Sequence, residues 1–105
     1  MGRYISITGT ASSTVRTVST TYTAEANDRI ICTGGGFTIT LPASPTVNDT
    51  IQIIDATGVF GSSSVTVDRN GNEIQNLAEN LVLDINNTAI TLVYSGATYG
   101  WLIIR

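Results

Sequence analysis

The sequence predicts an all-β domain: a small antiparallel sandwich or jelly-roll-like fold with an extended N-terminal arm. Three observations lead to the β assignment. Threonine is the commonest residue, 17 of 105, and Thr, Val and Ile favour pleated strands. Residues 37–41 (FTITL) alternate strictly, with Phe37, Ile39 and Leu41 on one side and Thr38 and Thr40 on the other. That period of two sets one face in a core and the other in water. Turn-prone clusters then separate a series of short apolar runs, as a sandwich, roll or small barrel requires.

Taken in order, residues 1–23 are rich in Ser and Thr, with isolated apolar side chains at Tyr4, Ile5, Ile7, Val15, Val18 and Tyr22. They are too sparse for a core of their own. Their spacing predicts an extended arm that docks on a neighbouring subunit or a larger assembly; a loose tail is the other reading of the same composition. Residues 24–105 read as the folded body, with strands at 29–33, 36–41, 50–55, 64–68, 81–85, 89–94 and 99–104. Gly34, Gly35 and Gly36 permit positive φ before the second of these. Pro42 stops it, and Asn48 and Asp49 offer side-chain turn bonds before the third. The strands at 36–41 and 50–55, joined by a short link, are expected to pair antiparallel. Asn86 and Asn87 predict a tight hairpin between 81–85 and 89–94. Residues 73–80 (EIQNLAEN) are the one candidate for a helical turn, or else a bent strand.

Composition also narrows function. The chain is long enough for one domain with a modest core. Its net charge is −3 with five scattered Arg, which argues against nucleic acid as a partner. No run reaches the length of a membrane span, and the N-terminus lacks the apolar segment of a secretory leader. Absence of Lys removes the usual guard of exposed sheet edges, which points to edges covered by oligomerisation or to simple compositional drift. Cys32 lies in an apolar run and reads as a buried small hydrophobe rather than a reactive thiol.

Reactive constellations are missing. With no His and no Lys there is no base for a Ser triad or a Ser–Lys dyad. Asp55 and Asp68 are the pair that strands could bring together, yet each sits at a strand end beside a turn, where Asp caps local backbone. Residues 68–72 (DRNGN) lack the carboxylate spacing of a calcium loop and read as a polar turn. No catalytic residue, cofactor or metal is therefore expected. Tyr99 and Trp101 form either an exposed aromatic patch suited to sugar binding or, for Trp101, the closure of a small β core.

The ordered set of segments is more specific than any one of them. Tyr22 and Thr23 precede DRIIC at 28–32; FTITLP at 37–42 and TIQIID at 50–55 follow, then Gly58, VTV at 65–67, GNEI at 71–74, ITLVY at 90–94, Gly96 and Trp101. Over residues 22–104 the chain resembles a short β-module of bacteriophage structural proteins, found in tail-fibre and adhesin chains and in virion decoration-type proteins. Asn48 departs from that pattern, where such modules often have Gly. The resemblance implies a homotrimeric virion protein without enzymatic activity. It would attach through its arm to other virion proteins of the tail (fibre or tail tip) or the capsid surface (decoration). The alternative it implies is an adhesin module that binds a host-surface glycan through outward loops at 62–64 and 68–72.

Overall fold

A computed structural model describes residues 13–104, and over them the chain is all-β. Nine strands follow one another: β1 (Thr14–Val18), β2 (Tyr22–Thr23), β3 (Asp28–Cys32), β4 (Thr38–Thr40), β5 (Thr50–Asp55), β6 (Val65–Asp68), β7 (Leu81–Leu83), β8 (Ala89–Tyr94) and β9 (Trp101–Ile104). Each of the seven strands expected in the body has a counterpart. Residues 73–80 form no helix: Gln75 and Asn76, both at positive φ, make a tight turn closed by an Ile74–Leu77 bridge.

Topology departs from the antiparallel expectation. The strands form two mixed sheets, one of five strands in the order β1-β3-β5-β8-β9 and one of four in the order β2-β4-β6-β7. The first six strands alternate between the sheets, and each lies parallel to the previous strand of its own sheet. The chain thus winds as a flattened coil of three turns, one strand per sheet per turn. Only the last three strands reverse direction, β7 against β6, β8 against β5 and β9 against β8. The expected pairs 36–41 with 50–55 and 81–85 with 89–94 are not formed, because β4 and β7 lie in one sheet and β5 and β8 in the other. A short polar link can cross the core as readily as it can reverse a strand. Periodicity reports which face is buried, not which neighbour is bonded.

Corners of the coil explain several polar residues. Asn27, at positive φ, accepts from Thr14 N–H, donates its own N–H to the Thr50 carbonyl and takes the Thr50 N–H on its side chain at 3.2 Å. One asparagine therefore joins three successive turns at one corner. At another corner the backbones nearly touch: a Cβ on Gly35 would lie 1.9 Å from the Ser63 carbonyl oxygen.

Between the sheets lies the core: Ile30, Cys32, Ile51, Ile53, Leu92 and Trp101 from the five-stranded sheet meet Ile39, Val65, Val67 and Leu83 from the four-stranded one, with Phe60 and Leu41 between strands. Trp101 is fully buried, its ring 5.3 Å from that of Tyr94.

Residues 14–23, assigned to the arm from sequence, lie within this architecture as β1 and β2. Val18 and Tyr22 pack against the core, while Val15 is 56% exposed. Tyr4, Ile5 and Ile7 fall outside the described residues. A polar cluster fastens the first turn. Buried Asp28 accepts from Tyr22 Oη at 2.6 Å, Arg16 Nε at 3.2 Å and Glu25 N–H at 2.9 Å. Burial, then the Asp28 bond, pushes the Tyr22 phenol up to about 12 from its ordinary 10. The phenol keeps its proton longer in the folded state, so its contribution is complete below about pH 10 and fades as pH rises toward 12. Tyr22→Phe is expected to lower stability at pH 8 by about 1–2 kcal/mol, one charge-assisted hydrogen bond. It should also flatten the loss between pH 10 and 12, as urea unfolding followed by Trp101 fluorescence would report.

Candidate functional site

The two sheets share one core but present different surfaces outward. On the four-stranded sheet the outward positions are Thr23, Thr38, Thr40, Thr66, Asp68 and Val82, beside inward Tyr22, Ile39, Val65, Val67 and Leu83. That is the polar-out pattern of a solvated face. On the five-stranded sheet the outward apolar positions are Val15, Ile31, Ile54, Ala89, Val93, Leu102 and Ile104, and the outward polar ones are Thr17, Arg29, Thr50, Gln52 and Thr91. These apolar side chains run across all five strands.

Strand sequences carry the contrast. TIT and VTVD alternate, whereas RIIC, QIID, TLVY and WLII are apolar on successive residues. A strand that reads as a continuous apolar run is one built for cover on both faces. Among the described residues, core packing supplies that cover on the inner side only.

Three of the polar residues on this face form one row and bond each other. Arg29, Gln52 and Thr91 stand side by side in register. The Arg29 guanidinium donates to Gln52 Oε1, and Gln52 Nε2 donates to Thr91 Oγ1 at 3.3 Å. Together with Ile54, Ala89 and Ile104 they line a shallow groove of about 460 Å³. Gln52 thus has both its oxygen and its NH₂ bonded within the row, whereas the Arg29 charge, bonded to a neutral amide, is costly to bury and belongs at the wet rim of any interface.

Residues singled out from sequence are dispersed by the fold. Tyr99 is 55% exposed, but Trp101 is sealed in the core, so the two do not form a joint aromatic patch. The loop at 62–64 is held by its backbone: Ser63 and Ser64 carbonyls accept the Gly36 N–H at 3.2 and 3.0 Å. At 68–72 the Asp68 carboxylate accepts the Asn70 N–H at 2.8 Å, an internal turn bond. Asp55 and Asp68 end strands of different sheets. The Asp55 carboxylate is buried and accepts four backbone N–H groups, from Gly58, Val59, Phe60 and Asn87, at 2.9–3.2 Å. Burial alone would raise its pKa, but these four donors outweigh it and hold the carboxyl below its ordinary range. Capping of local backbone, expected of an Asp in this place, is its observed role. Cys32 is buried, and burial, with the Asp55 charge adding, pushes its thiol up to about 11.

Sequence reading missed the outward apolar face itself. Its signal is present as doubled apolar residues, Ile30-Ile31, Ile53-Ile54, Leu92-Val93 and Leu102-Ile103-Ile104, but these also serve a strand with one buried face and imperfect alternation. Only the sheet assignment separates the two cases.

In comparisons with known proteins, no family model matches the chain and no curated protein matches it.

Proposed function

We propose that the chain is a non-enzymatic structural module of a bacteriophage virion, a homotrimer in which the outward face of the five-stranded sheet is buried between copies. The observation that carries the assembly part is the contrast between the two outer faces: one is mostly threonine, while the other carries apolar side chains on all five strands around a polar row. In water the two would be expected to match, and removing the apolar one from water is favourable at about 25 cal/mol per Å² before entropic losses. The number three and the virion location rest on the ordered segments that resemble phage tail-fibre and decoration modules. In this reading the N-terminal residues contact the capsid or tail, and the threonine face points to solvent.

Attachment is tested by deletion. The cut must stop before β1, since residues 14–18 are paired within the five-stranded sheet. A variant lacking residues 2–12 is expected to fold and self-associate as the full chain does, but not to sediment with virions. Co-sedimentation equal to that of the full chain would remove the arm from the account.

A further inference from the structure

The coil has two ends, and they are finished differently. At the C-terminal end, the free edge of β9 is closed by the turn after β6. Trp101 N–H donates to the Glu73 carbonyl at 2.7 Å, Gln75 N–H donates to the Trp101 carbonyl at 2.7 Å, and Ile103 N–H donates to Gln75 Oε1 at 2.8 Å. At the N-terminal end, β1 is the outer strand of the same sheet. The Thr14 N–H and the Val18 carbonyl are bonded toward β3. With a period of two, the backbone groups of Val15 and Thr17 point away from β3, to an edge that is open among the described residues.

Such an edge is a template for another strand unless a Pro, a bulge or an outward charge blunts it. β1 (TVRTV) has no Pro and no Lys, and its one charge is turned aside: Arg16 bonds Asp28 at 3.2 Å and Glu25 at 3.1 Å. Growth head to tail would need the β9 edge of the next copy, which Glu73 and Gln75 occupy. Of the two ends of this sheet, the one left to meet a β1 edge is another β1 edge.

We propose that β1 is an end-joining strand that pairs antiparallel with β1 of a second copy about a two-fold axis through Arg16. Val15 and Thr17 of one chain exchange backbone hydrogen bonds with Thr17 and Val15 of the other. Each Arg16 is already paired with its own Asp28 and Glu25, so the axis does not oppose bare like charges. Because the joint is isologous, it closes on itself. Between single chains, association through it stops at the pair, with no filament. It uses the backbone edge of β1 rather than the outward apolar face, to which β1 contributes only the Val15 and Thr17 side chains, and does not depend on the trimer.

Amide hydrogen exchange of the full chain, read by NMR across a hundredfold range of concentration, tests this without any substitution. Val15 and Thr17 amides are expected to be protected on the order of 100-fold at the concentrated end and to lose that protection on dilution. Free exchange at every concentration overturns the proposal. So does protection that ignores dilution, which would mean that the edge is covered within one assembly. As a second arm, Thr17→Pro removes an N–H that has no partner among the described residues, and Pro is tolerated at an edge strand's outward position. Its mass by light scattering is expected to be half that of the wild type at high concentration. Equal masses, with wild-type Trp101 fluorescence, contradict the two-fold joint and leave the apolar-face interface untouched.

Discussion

Asp55→Ala is expected to cost about 4–6 kcal/mol and to leave much of the chain unfolded at room temperature. Four backbone N–H groups converge on this one buried carboxylate from Gly58, Val59, Phe60 and Asn87. Hydrogen bonds to a charged group contribute about 1.5–3 kcal/mol each, and donors left buried without an acceptor are penalised further. A domain of this size has only roughly 5–15 kcal/mol in total. Asp55→Asn is expected to be milder, about 2–3 kcal/mol, since one amide oxygen remains while its NH₂ faces two donors. The carboxyl is held below its ordinary range, so the folded state binds fewer protons than the unfolded one in mild acid. Its stabilisation is complete above about pH 4 and is lost as pH falls through the folded-state value. Urea midpoints at pH 7 and at about pH 3 would check both points: the wild type should weaken with acid, and Asp55→Asn should show a shallower slope.

Gly100→Ala is the second large effect. Gly100 sits at φ +73°, and a Cβ there would lie 2.0 Å from the Glu73 carbonyl oxygen. That oxygen is the acceptor of the Trp101 N–H at 2.7 Å. The left-handed conformation alone costs a side-chain-bearing residue about 1–2 kcal/mol. Moving Glu73 away would also break the bond that closes the β9 edge, for an expected total of about 3 kcal/mol or more. A fall in the thermal midpoint with a red shift of Trp101 emission is the expected readout. Gly34→Ala is the control: a Cβ at Gly34 meets nothing within 4 Å, and its effect is expected to stay within about 0.5 kcal/mol.

These two positions also show where sequence reading succeeds and where it stops. Asp55 beside Ala56-Thr57-Gly58 was legible as a capping carboxylate because that chemistry is local. Asn87 was legible as a turn residue and has φ +64°. The turn it makes, however, leads from β7 in one sheet to β8 in the other, and nothing in two consecutive asparagines distinguishes that from a hairpin. Gly100 was not legible, since its requirement comes from Glu73, far back in the chain. The same holds for the parallel coil. Alternation in β4 and β6 gave the strands, whereas their stacking depends on contacts between turns of unequal length. Tyr22 and Arg16 read as arm residues because the partner that ties them down, Asp28, belongs to the next strand. Trp101 had two readings, patch or core, and burial of its ring against Tyr94 decides for the core.

The central claim is that the apolar outer face of the five-stranded sheet is an interface between copies. Light-scattering mass of the purified chain beside Ile54→Glu tests it most directly. Ile54 lies on that face, in its groove and away from β1, and a charge there should leave the single chain folded. The account predicts a wild-type mass in dilute solution near three times 11.1 kDa, falling to that of a single chain in Ile54→Glu. A wild type that is already monomeric, or a variant with the wild-type mass, would contradict it.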